Sequence, residues 1–247
     1  MPRFLRLLNF PSRFFKRLRS RLKRALRPRV TRFRARLQDR PTAIPTPLLL
    51  SIQEGTSRYE HEGVTCVKDP FDLALYTMLI SRLRPLTIVE IGSFHGGSAK
   101  WFATQLRGMQ IPGHVYSLDL EKVEGVTDSA VDFLQGDVHH LEQSPLPTLL
   151  SDRRGPLLVV EDGPHTYNGS LAALRFFHPY LTPGDYIVVE DGNVGHLGKA
   201  SFQDGPNRAV REFLAEFPGQ YEVDLEICDF YGTNVTWNTD GYLRRVA

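Results

Sequence analysis

Cysteine is nearly absent: Cys66 and Cys228 are the only two in 247 residues. Two cysteines make neither a disulfide framework nor a C-x-x-C site, which predicts a reducing, cytoplasmic setting. No apolar run approaches the roughly 18 residues of a membrane span, and the N-terminus lacks the unbroken apolar segment of a secretory signal. No internal repeat is present, which excludes the solenoid architectures. Acids are missing from the start of the chain. Residues 1–40 hold fifteen of the 30 Lys and Arg but only Asp39 of the 28 Asp and Glu. The remainder is therefore net acidic, and the formal charge of +2 hides a basic arm on an acidic body.

Within that arm Phe14, Leu18, Leu22 and Leu26 recur every four residues, and Pro11 and Pro28 bracket them. The spacing predicts a cationic amphipathic helix able to lie on an anionic membrane surface, where each Lys or Arg contributes about 1 kcal/mol. A solvated tail and a mitochondrial transit segment share the same composition. No nucleic-acid reader such as a zinc finger accompanies the charge, so nucleic acid is not an expected partner. Pro41, Pro45 and Pro47 mark a linker.

The body alternates strand-like and helix-like segments. Strands are expected at 87–92, 114–120, 131–135, 157–161 and 186–190, with two late ones near 224–230 and 233–238. Helices are expected from Asp69-Pro70 to Arg84, and at 97–106, 171–180 and 207–217. Asp69 is placed to cap the first, with Pro70 in its opening turn. Alternation of this kind gives an α/β protein with a mainly parallel sheet, whose ligands bind beyond the carboxyl ends of the strands.

Chemistry-bearing residues fall at those ends. After the first strand comes Glu90-Ile91-Gly92-Ser93-Phe94-His95-Gly96-Gly97-Ser98. Its glycines let the backbone approach a ligand at a helix N-terminus. The pattern is not G-x-G-x-x-G, which speaks against a nicotinamide-dependent oxidoreductase. Asp119 closes the second strand, where an acid can accept hydrogen bonds from ribose hydroxyls. Asp137 follows Gly136 after the third and is placed to approach an adenine edge; either acid alone could equally cap a turn. Two further runs, LLVVED and YIVVED, end in acids and deliver Asp162, Glu190 and Asp191 to neighbouring strand tips. Crowded carboxylates repel and raise one another's pKa, a conflict that a divalent cation removes. An all-oxygen set favours Mg²⁺, Mn²⁺ or Ca²⁺ over zinc. His165, three residues past Asp162, can serve as general base, as a metal ligand or structurally. His139, His140, His178 and His196 carry no assignment, although His196 lies close enough to the acidic pair to line a pocket.

In order and spacing these motifs resemble the cephalosporin hydroxylase/rhamnosyl O-methyltransferase family of S-adenosylmethionine (SAM)-dependent enzymes. The resemblance runs from about Tyr59 to the C-terminus through EIGSFHGGSA, YSLDLE, GDVH, EDGPHTY, PYLTPGDYIVVEDGNV, GPNRAVREFL and GYLRR. It implies a Rossmann-like methyltransferase sheet of seven mainly parallel strands with an antiparallel last strand and helices on both faces. It divides the chain into an arm (1–40), a lead-in (41–58) and a methyltransferase domain (59–247). It implies a SAM pocket from Glu90, Gly92, Ser93, Phe94, Gly96 and Ser98, with Asp119 on the ribose and Gly136-Asp137 near adenine. It implies Mg²⁺ or Mn²⁺ on Asp162, Glu190 and Asp191, with His165 as base. The implied reaction is methylation of a hydroxyl on a sugar, small molecule or glycan. A homo-oligomer and a peripheral position at the inner membrane face are compatible with it. Gly and Pro near Gln203 to Pro206 suggest a loop over the pocket.

Overall fold

In the computed structural model, residues 40–197, 202 and 205–247 are described, with 195–197 described by backbone alone. Residues 1–39 of the basic arm, Gln203 and Asp204 of the expected loop, and the His196 side chain lie outside the described residues.

Five strands run parallel in the centre and on one flank: β3 (Thr87–Ile91), β4 (His114–Asp119), β5 (Val131–Gln135), β6 (Leu157–Glu161) and β7 (Tyr186–Val189). Every residue of β3, β6 and β7 is buried, as expected for parallel strands covered on both faces. The sheet is completed by β8 (Tyr221–Val223) and β9 (Tyr242–Arg245), in the order β5-β4-β3-β6-β7-β9-β8. The last strand, β9, inserts antiparallel between β7 and β8. The parallel sheet with an antiparallel last strand therefore matches the expectation.

Alternate side chains on each strand feed opposite cores. Ile88, Leu158, Val160 and Val188 pack with Leu75, Leu79, Phe102 and Leu106 of α2 (Pro70–Leu83) and α3 (Gly97–Gly108). Val89, Ile91, Val159 and Ile187 pack with Leu174, Phe177, Val210 and Phe213 of α5 (Tyr167–Phe177) and α6 (Gly205–Glu216). A short helix, α4 (Leu146–Ser151), adds Leu146 and Leu150 to the second core. Asp69 caps α2, accepting from the Phe71 and Asp72 amides at 2.7 and 3.3 Å. Among the described residues no helix is long and apolar enough to cross a membrane.

Four local expectations need correction. Residues 41–58 contain a helix, α1 (Thr46–Thr56), whose Leu49 packs with Ile44 and Trp237. Arg40, counted with the arm, is tied to Asp229 and Asp240 of the body. Helix α5 starts at Tyr167, ahead of the expected 171, because Thr166 caps it; past Phe177 a 3-10 turn carries it to Tyr180, as expected. Neither late strand lies where it was expected. Asp224 caps a helical turn, α7 (Leu225–Cys228), and residues 233–239 are irregular. Buried Asp72 holds that stretch by accepting hydrogen bonds from Thr236 Oγ1, from the Trp237 amide at 3.0 Å and from the Tyr242 hydroxyl at 2.9 Å. A small hairpin, β1 (Glu60–His61) and β2 (Val64–Thr65), was not expected.

Candidate active site

Sheet hydrogen bonding continues one residue past the strands and fixes their tips. The Gly92 amide donates to Leu118, Asp162 to Ile91 and Glu190 to Glu161, at 2.8, 2.9 and 2.8 Å. Above these tips lies a cavity of about 580 Å³, a usual size for a small-molecule site. One end is lined by Gly92, Phe94, Asp119, Leu120, Gly136, Asp137 and His139. The other is lined by Val67, Asp162, His165, Glu190, Asp191 and Trp237.

At the first end Asp119 Oδ2 accepts from the Phe94 amide at 2.9 Å, which leaves Oδ1 for a ligand. Phe94 (65% exposed) and Leu120 (63%) present apolar surface at the cavity mouth. Asp137 performs the turn-capping role too, accepting from the His139 amide at 2.9 Å. His139, the last residue of the GDVH motif, also lines the cavity, although it carried no assignment.

Glu90, Ser93, Gly96 and Ser98 do not line the cavity. Glu90 shares the strand face of Ile88 and points beneath the loop toward α2 and α3. There Ser117 donates to Glu90 Oε2 at 2.6 Å, and the Ser93 and Ser117 hydroxyls are paired at 2.7 Å. These residues brace the glycine loop from behind. Gly96 is at φ 85°, and a side chain there would strike Phe133.

The acidic end brings Asp162, His165 and Asp191 together, with ligand atoms all within 4.8 Å of one another. His165 Nε2 lies 3.4 Å from Asp191 Oδ2, and Nδ1 lies 3.8 Å from Asp162 Oδ1. His165 and Asp191 both adopt left-handed backbone, at φ 51° and 55°. Such conformations cost about 1–3 kcal/mol and concentrate at functional sites. Glu190 stands slightly apart. Its Oε1 accepts from Tyr76 at 2.6 Å and from buried Lys68 at 2.9 Å. Lys68 is the site residue that sequence reasoning missed: a lone Lys before a helix cap carries no pattern.

Burial pushes the Asp162 carboxyl up to about 6 even though Lys68 and His165 pull it down. It pushes Glu190 up to about 7, with Asp162 adding to the rise. Asp191 is raised by burial as well. Burial disfavours charged His165, but Asp191, Asp162 and Glu161 outweigh it and raise its pKa. Hydrogen bonding leaves Glu90 Oε1 and Asp69 Oδ2, both buried, without a partner. The site carries more carboxylate than its one ammonium can balance, and its donors are mostly oxygen. That set fits a hard divalent cation.

This strand order, with acids at the tips of β4, β6 and β7, is that of the SAM-dependent methyltransferase fold. The rhamnosyl O-methyltransferase/CmcI family matches residues 54–246, and the chain belongs to that family. It is 33% identical over 192 residues to a rhamnosyl O-methyltransferase of Mycobacterium leprae (strain TN), covering 74% of this chain and 81% of that one. The counterpart of Mycobacterium tuberculosis (strain ATCC 25618 / H37Rv) is 31% identical over 176 residues, covering 66% and 69%. Two CmcI structures superpose over 85% of this chain and 88% of theirs. The apo form gives a TM-score of 0.63 at 25% identity, and the Mg- and SAM-bound form 0.59 at 26%. The protein is an O-methyltransferase of this family, and the Mg- and SAM-bound CmcI structure is a solved neighbour that holds both.

Proposed function

We propose that the enzyme methylates a hydroxyl of a rhamnosyl-type sugar, with the nucleoside of SAM at Asp119 and Asp137 and a divalent ion at the acidic end. One observation carries this reading: a single cavity joins the ribose-type acid Asp119 to the cluster of Asp162, Glu190, Asp191 and His165. The relatives' substrate supports the sugar. Asp162 and Asp191 would each offer an oxygen to the ion, and Glu190 would offer Oε2, because Oε1 is taken by Tyr76 and Lys68.

When bound, the ion supplies positive charge that makes a neighbouring hydroxyl more acidic. His165 accepts the hydroxyl proton at Nε2, and Asp191, 3.4 Å from that atom, stabilises the imidazolium. Asp119 and Asp137 hold the nucleoside so that the methyl group faces the acceptor; fixing both reactants removes much of the barrier. Gly136 lines the same end of the cavity, and a Cβ there would meet the Leu118 side chain at 2.9 Å. The test is a panel of acceptors incubated with the full chain, methyl-labelled SAM and Mg²⁺. Label is expected on rhamnosides; label confined to catechols would overturn the sugar assignment.

The basic arm supports a second element of the reading, peripheral binding to an anionic membrane. Deletion of residues 1–38, which spares the Arg40 ion pairs, is expected to abolish co-sedimentation with phosphatidylserine vesicles. Equal sedimentation of both forms would remove the arm from that role.

A further inference from the structure

Lys68 is a buried charged group that the mechanism above leaves without a task. It sits between Val67, which lines the cavity, and Asp69, which caps α2. Its side chain is 1% exposed. The ammonium meets carboxylates from three adjacent strand ends. It is hydrogen-bonded to Asp162 Oδ2, lies 2.9 Å from Glu190 Oε1, and lies 3.9 Å from Glu90 Oε1. Tyr76, on α2, donates to the same Glu190 oxygen at 2.6 Å. One stretch of chain, the approach to α2 and its first two turns, thus grips two of the candidate metal ligands.

That grip divides the oxygens of each carboxylate. Asp162 commits Oδ2 to Lys68, and its Oδ1 is left on the side of His165, 3.8 Å from Nδ1. Glu190 commits Oε1 to Lys68 and Tyr76, which leaves Oε2. A carboxylate with one oxygen tied cannot rotate freely, so the untied oxygen has a defined direction. Outer partners of this kind orient metal ligands in general. Formal charge points the same way. Glu90, Asp162 and Glu190 surround the one ammonium, an excess of carboxylate that a divalent ion would reduce. Buried, unbalanced charge is expensive.

We propose that Lys68 is the positioning residue of the metal site: it ties back one oxygen each of Asp162 and Glu190 so that the other is presented to the ion. The proposal rests on the metal reading given above. The test measures Mn²⁺ binding to the full chain by electron paramagnetic resonance, without SAM or acceptor, so that activity plays no part in the readout. Wild-type protein is expected to bind Mn²⁺. Lys68→Met keeps the length and loses the charge, and is expected to bind about 10- to 100-fold more weakly while remaining folded by circular dichroism. Tyr76→Phe removes the second tie on Glu190 without changing charge, and is expected to bind roughly threefold to tenfold more weakly. A merely structural lysine would lower the melting temperature without moving the Mn²⁺ affinity of the folded protein. Unchanged or tighter binding by folded Lys68→Met overturns the proposal. Where that variant does not fold, unchanged binding by Tyr76→Phe does so. Absence of Mn²⁺ binding in the wild type overturns the metal reading instead, so the two failures are distinguishable.

Discussion

Asp162→Asn is expected to lower methyl transfer at saturating Mg²⁺ by on the order of 10³-fold while SAM affinity stays within about twofold. Asparagine keeps the volume, and the backbone cannot drift, because the Asp162 amide is bonded to Ile91. What is lost is one negative charge at the acidic end of the cavity, beside His165 and Lys68. The nucleoside end, at Asp119 and Asp137, shares no hydrogen bond with Asp162. Rate and binding should therefore separate. Initial rates with methyl-labelled SAM, set against calorimetric SAM binding, measure both. A variant with unchanged turnover would mean that Asp162 holds nothing the reaction needs.

Gly92→Ala is expected to destabilise the protein by about 3 kcal/mol or more, which lowers the melting temperature by on the order of 10 °C. Gly92 lies at φ 100°, which L residues rarely adopt. An added Cβ would stand 2.0 Å from the Asp162 carbonyl oxygen. The contact is with backbone, so no side-chain rotation relieves it. Either Gly92 leaves its hydrogen bond to Leu118, or the turn after β6 shifts and carries Asp162 with it. Stability and metal-dependent rate should fall together. Thermal melting checks the first effect, and a melting temperature within about 2 °C of wild type would contradict the close approach inferred here. By contrast, Gly55 has open space around it and no positive φ, and should tolerate alanine far better.

The central strands and the acids at their tips were legible in the sequence for one reason. Buried parallel strands are short unbroken apolar runs, so a carboxylate at the end of one stands out. LLVVED and YIVVED announce both a strand and a site. The late strands were not legible, because their neighbourhood is governed by contacts far away in sequence. Thr233 to Asn238 has strand-like composition, yet buried Asp72 takes the Thr236 hydroxyl and the Trp237 amide. The direction of Glu90 was not legible either. The sequence placed it at the strand end, but strand parity turns it away from the cavity and toward Ser117 and Lys68. Lys68 itself becomes meaningful only when three strand tips meet around it. The grouping of His165 with Asp162 was legible from their spacing, whereas the left-handed turns at His165 and Asp191 that bring the three together were not.

The most direct test of the account is metal add-back. The full chain is stripped with EDTA, dialysed, and assayed for methyl transfer from SAM before and after Mg²⁺ is restored. The account expects transfer to vanish on stripping and to return with Mg²⁺. Transfer that persists without divalent metal would contradict the claim that the carboxylates at the tips of β6 and β7 serve the chemistry through an ion.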